Sequence, residues 1–177
     1  MNENAIYVEN GKVVGDSVFY LLAYQMLEDE SQRLCAMTDE LDRDSARKKE
    51  NMAAYKCAKY RYATVSLIQN TIFQHNRCRK QQNMEQFHYL LLPFDMIFKT
   101  QREYLALYES APTHEKPDVS LYYAMRAFAE QEIAGYEAKL QGATDWERVE
   151  LEERMGGLRF AMVCLDEAWQ RRGEVIA

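Results

Sequence analysis

SARKKENMAAYKCAKYRYATVSLIQNTIFQHNRCRKQ, residues 45–81, contains neither Gly nor Pro. Ala54, Ala58, Val65, Ile68 and Ile72 recur at helical spacing, which places them on one side of a helix. Lys49, Lys56, Lys59, Ala63, Ser66, Asn70, Gln74 and Arg77 fall on the opposite side. Read as one helix, the stretch spans roughly 55 Å at about 1.5 Å per residue. A long amphipathic helix needs other helices to cover its apolar stripe, so this segment predicts an all-α helical bundle.

The neighbouring segments supply those helices. Gly15-Asp16-Ser17 opens a helix over 16–42, with Asp16 as N-cap and Val18, Leu21, Leu22, Gln25 and Met26 as its buried stripe. Asp42-Arg43-Asp44-Ser45 separates it from the basic helix of 45–81. Asn83-Met84-Glu85-Gln86 is a capping box that starts a helix over 83–110, kinked near Pro93. A loop rich in Pro leads to a helix over 118–141, which Gly142 ends. Thr144-Asp145-Trp146-Glu147 is a second capping box, opening a helix over 144–172. Its residues Leu151, Met155, Leu158, Met162, Leu165 and Trp169 form an a/d seam, expected to lie inside the bundle. Gly156-Gly157 interrupts that helix at a cost in propensity, and close approach of a neighbouring helix is the expected reason. At the N-terminus, Asn10-Gly11 between short β-prone runs predicts a hairpin over 1–15. The expectation is a single domain of about five helices with that hairpin, a size that 177 residues suit.

Charge is unevenly placed along the chain. The net charge is −6, yet residues 43–82 hold ten Lys/Arg and two Asp/Glu. Residues 1–42 hold two basic and nine acidic residues. Such a segment either attracts a polyanion or pairs with the protein's own acidic helices. Glu147, Glu150, Glu152 and Glu153 gather at the start of the last helix, where negative charge suits the helix dipole. They could also face a basic partner.

Catalytic and cofactor signatures are weak. Glu85-x-x-His88 has the spacing of a carboxylate-bridged metal site, but such sites take a second Glu-x-x-His, and neither His75 nor His114 has Glu three residues before it. His75 and Cys78 lie three apart, short of the four ligands that structural zinc takes. No Gly-rich phosphate loop, GxSxG or HExxH occurs. Cys35, Cys57, Cys78 and Cys164 form no CxxC pair, which suits free thiols in a reducing, cytoplasmic compartment. The N-terminal residues lack a signal-peptide pattern, and no run of about 18 apolar residues suggests a membrane span. Lys59-Tyr60-Arg61-Tyr62 interleaves cations and rings, as single-stranded nucleic-acid sites do. On a helix these four point in different directions, with Tyr62 toward the buried side and Tyr60 toward the exposed one.

No cofactor is expected, and the chain reads as a non-enzymatic macromolecule-binding protein. Its partner is expected to be a protein or ribonucleoprotein, engaged by occlusion or tethering, with Lys49, Lys56, Lys59, Arg77, Glu150, Glu152 and Glu153 as the candidate contact residues. A narrower form is a phage- or mobile-element-type inhibitor of a nucleic-acid enzyme, of the anti-CRISPR kind. Two other readings stand beside it. One is direct nucleic-acid binding by the basic helix, and the other is a bundle that holds a metal or small ligand.

Overall fold

The computed structural model describes residues 8–9, 12–13, 17–80 and 118–174. These residues are almost wholly helical, and the protein is all-α. The hairpin expected over 1–15, with its Asn10-Gly11 turn, lies outside the described residues apart from the two-residue segments Val8–Glu9 and Lys12–Val13. The helix expected over 83–110, its Pro93 kink included, also lies outside them.

Five helices are described: α1 (Ser17–Asp42), α2 (Ser45–Glu50), α3 (Met52–Lys80), α4 (Asp118–Leu140) and α5 (Asp145–Gln170). The stretch 45–81 is therefore not one regular helix. Asn51 ends α2 with φ −109° and ψ 29°, away from helical values. Its side-chain amide donates to the Arg47 carbonyl at 2.9 Å, a local bond that competes with the regular ladder. Asp44 caps α2 through its carboxylate, which accepts from the Ala46 and Arg47 N–H groups at 3.1 and 3.0 Å.

Contacts fix the helix directions. Asp42, Glu30, Glu28 and Tyr24 of α1 meet Tyr55, Arg61, Gln69 and Phe73 of α3 in turn, so these helices are antiparallel. Lys56, Tyr60 and Thr64 of α3 meet Trp146, Arg154 and Gly157 of α5, so this pair is parallel. Leu140, Glu137 and Arg126 of α4 meet Arg148, Arg159 and Asp166 of α5, an antiparallel pair joined by a short turn. Phe19 of α1 lies edge-on to Trp169 of α5, with centroids 5.8 Å apart.

The core lies between α1, α3, α4 and α5. Phe19, Leu22 and Leu27 pack with Val65, Ile68 and Ile72, with Met125 and Phe128, and with Leu158, Cys164 and Leu165. Each large apolar side chain buried there contributes about 1.5–3 kcal/mol. The a/d seam of α5 faces this core: Met155, Leu158 and Leu165 are buried, while Met162 and Trp169 pack against it partly covered. Two positions read as buried from periodicity are exposed. Gln25 faces solvent between the buried Ala23 and Leu27, and Ala54 lies before the first buried turn of α3 that Tyr55 and Ala58 begin.

Gly157 accounts for the close approach of α3 and α5. A Cβ there would overlap the Thr64 hydroxyl and come within 3.1 Å of the Arg61 carbonyl oxygen. Gly156 meets only the Arg61 guanidinium, at an ordinary 3.6 Å. At the start of α5 the Glu147 carboxylate accepts from the Thr144 N–H at 2.9 Å and from its hydroxyl at 2.8 Å. These bonds hold the Glu147 carboxyl below its ordinary range.

Candidate functional site

Of the candidate contact residues, Lys56, Glu150 and Glu153 lie along the α3–α5 contact. Lys56 is half-buried, with its Nζ 4.2 Å from the ring centroid of Trp146. Glu150 accepts from Arg154 Nε at 2.9 Å, and the Arg154 guanidinium lies 5.6 Å from the Tyr60 ring centroid. Tyr60 thus faces α5 and is half-buried, where a single apolar stripe would have left it outward. The reason is that α3 is covered along two edges, by α1 and by α5. Glu153 is half-buried beside Cys57. Glu152 is exposed and has no partner among the described residues.

At the other end of the basic stretch, Lys49 on α2 is exposed, with no ion pair among the described residues. Lys59 is exposed, and its Nζ lies 4.8 Å from the Tyr55 ring centroid. Lys48 approaches the same ring to 4.1 Å and pairs with Asp42, whose carboxylate also accepts from the Tyr55 hydroxyl at 3.2 Å. The Lys48 and Tyr55 bonds hold the Asp42 carboxyl below its ordinary range. Arg77 lies on α3, and its side chain is outside the described residues.

Part of the basic charge is neutralised internally. Arg47 pairs with Glu40 at 2.6 Å, Lys48 with Asp42, and Arg61 with Glu30 at 3.2 Å. Arg61 Nε is buried and lies within ion-pair distance of Glu30, but its direction is poor for a hydrogen bond. Arg43, Lys49, Lys56 and Lys59 make no close ion pair with a described carboxylate, although the Lys59 charge adds to the attraction on Asp42. Of these, Arg43, Lys49 and Lys59 are exposed, and Lys56 is half-buried against Trp146. The sequence pattern missed Tyr55 and Trp146, the rings on which Lys59 and Lys56 rest. An aromatic near a lysine signals such a contact only when the fold brings the two together.

A groove of about 360 Å³ opens between α1 and α3, lined by Tyr24, Tyr62, Ser66, Gln69, Asn70 and Phe73. The Tyr24 and Phe73 rings are tilted by 47° with centroids 6.1 Å apart. At its floor the buried Gln69 donates through Nε2 to Glu28, which also accepts from Gln32 Nε2 at 2.6 Å. Burial, and then the nearby Glu28 carboxylate, raise the Tyr24 phenol above its ordinary value.

Cys57 and Cys164 sit in settings that disfavour the thiolate. Burial pushes Cys164 up to about 11, and burial followed by the Glu153 charge raises Cys57. Glu85 and His88 lie outside the described residues, as do the side chains of His75 and Cys78. Among the described residues no group of three or more His, Cys, Asp or Glu is placed to hold a metal ion. None of the described helices is long and apolar enough to cross a membrane. Compared with known protein families, with curated proteins and with solved structures, the chain matches none.

Proposed function

We propose that this chain is a non-enzymatic macromolecule-binding protein that engages a polyanionic or ribonucleoprotein partner through the outer face of α2 and α3. The observation behind this is the set of cations that make no close ion pair among the described residues, Arg43, Lys49, Lys56 and Lys59, carried by a protein of net charge −6. An isolated run of cations in an acidic protein directs a polyanion to one face and repels it elsewhere. The narrower form, a phage- or mobile-element-type inhibitor of the anti-CRISPR kind, rests on the same segregation. There the exposed Glu152 and its acidic neighbours on α5 would meet the basic channel of the inhibited enzyme. Affinity capture from host lysates, read by mass spectrometry, tests that form.

Lys49→Glu with Lys59→Glu tests the general reading. Both side chains are exposed and neither makes a close ion pair among the described residues, though Lys59 rests on the Tyr55 ring and attracts Asp42. Lys49→Glu should change stability by less than about 0.5 kcal/mol, and Lys59→Glu should cost about 0.5–1 kcal/mol through the lost Tyr55 contact. Lys56→Glu is less clean, because Lys56 is half-buried against Trp146 and the new carboxylate would be partly desolvated there. Affinity for the partner should fall, with a salt slope shallower by about 0.7–0.9 for each phosphate contact removed. A folded double variant with unaltered binding would reduce this face to ordinary solvated surface.

A further inference from the structure

We infer that the groove between α1 and α3 is a base-binding subsite, and that the partner of the cationic face is a single-stranded nucleic acid. This rests on the proposed binding role of that face and identifies its ligand. Lys59, Tyr62, Ser66, Asn70 and Phe73 follow one another along α3 at spacings of three, four, four and three residues. At about 100° per residue they share one helix face. From Lys59 to Phe73 that face runs roughly 21 Å at about 1.5 Å per residue, enough for several nucleotides. The cation stands at one end and the groove at the other.

The groove has the chemistry of a base site. It is an open surface groove of about 360 Å³, which leaves a bound strand free to continue past it. Tyr24, Tyr62 and Phe73 offer ring faces for stacking. Asn70 and Ser66 make no hydrogen bond to another described residue, so a carboxamide and a hydroxyl remain open to a base edge. Gln69 is already committed to Glu28. The Glu28 carboxylate behind Gln69, though no part of the groove's lining, disfavours phosphate there. Phosphate is thereby directed to Lys59, and the base to the rings and amide. A duplex hides its base faces, so this division of labour selects single strands.

The test uses the full chain and fluorescein-labelled twelve-nucleotide single strands of DNA and RNA, with the matching duplex, read by anisotropy across a salt series. Single strands should bind about tenfold or more tightly than duplex, since stacking on an aromatic face is open to them alone. Asn70→Ala with Ser66→Ala should weaken single-strand binding about three- to tenfold, with an unchanged salt slope. Lys59→Glu should weaken binding and lower the slope by about one. Thermal melts of each variant confirm that the fold is retained. Full affinity in the Asn70/Ser66 variant, or equal affinity for duplex, overturns the groove as a base site. If Lys59→Glu still weakens binding in that case, the cationic face survives without it. If no oligonucleotide binds and Lys59→Glu instead abolishes capture of a protein, the nucleic-acid partner is refuted and a protein partner takes its place.

Discussion

A methyl group added at Gly157 would overlap the Thr64 hydroxyl and approach the Arg61 carbonyl oxygen to 3.1 Å. Thr64 is buried and donates to that same carbonyl at 3.0 Å, so it has little room to turn away. Gly157→Ala should therefore lose about 1–3 kcal/mol to overpacking, against a helix-propensity gain of about 1 kcal/mol. Adding Thr64→Ala should recover part of the loss. Gly135, within α4, is exposed and has nothing within 4 Å of the position of an added Cβ. Gly135→Ala should stabilise the protein by about 0.5–1 kcal/mol. Urea denaturation of the three variants checks both signs, and a rise for Gly157→Ala as large as that for Gly135→Ala would contradict the close approach. The need for a small residue at 156–157 was legible in sequence, because two glycines inside a helix lower its propensity without local benefit. Which of the two meets the neighbouring backbone was not, since that depends on the rotation of α3 against α5.

Between elements, the α1–α3 contact has an electrostatic component that responds to acid. Glu30 is largely covered, and its carboxyl lies below the ordinary value of 4.5, chiefly through its hydrogen bond to Arg33, with further attraction from Arg61. A depressed folded value means that this stabilisation is complete above the unfolded value and is lost as pH falls through the folded one. Glu30→Gln should be less stable than the native chain at neutral pH, and the deficit should shrink below about pH 4.5. Chemical denaturation across pH 3–7 measures it, and a constant deficit would remove the ion pair as its cause. Leu158, at the centre of the α5 seam, is 2% exposed. Leu158→Ala should cost about 2–5 kcal/mol, with the association state unchanged by sedimentation. The seam and the Thr144–Glu147 capping residues were readable because they depend on residues three and four apart. The break at Asn51 was not. Asparagine inside a helical pattern becomes a stop only through its own side-chain bond to Arg47, and no Gly or Pro marks the place.

For the molecule as a whole, charge segregation along the chain does not survive folding intact. Arg47, Lys48 and Arg61 find carboxylates on α1, whereas Lys49 and Lys59 remain outward. Composition located the basic segment, but only tertiary contact separates its internal charges from its free ones. The candidate groove was less legible still, since Tyr24 joins Phe73 and Asn70 only when α1 and α3 pack antiparallel. The helix order has one more consequence, for synthesis on the ribosome. Phe19, near the start of α1, rests on Trp169, in the last turn of α5, and Thr64 meets Gly157. During translation α1 and α3 emerge early and can pair, while the partner for their remaining buried face is not yet translated. At about 5–20 residues per second, the wait from Ile72 to Leu165 is on the order of ten seconds. For that interval the nascent chain presents Val65, Ile68 and Phe19 without the helix that will cover them. A message truncated before codon 145 would release a polypeptide suited to chaperone capture or aggregation rather than a smaller working protein.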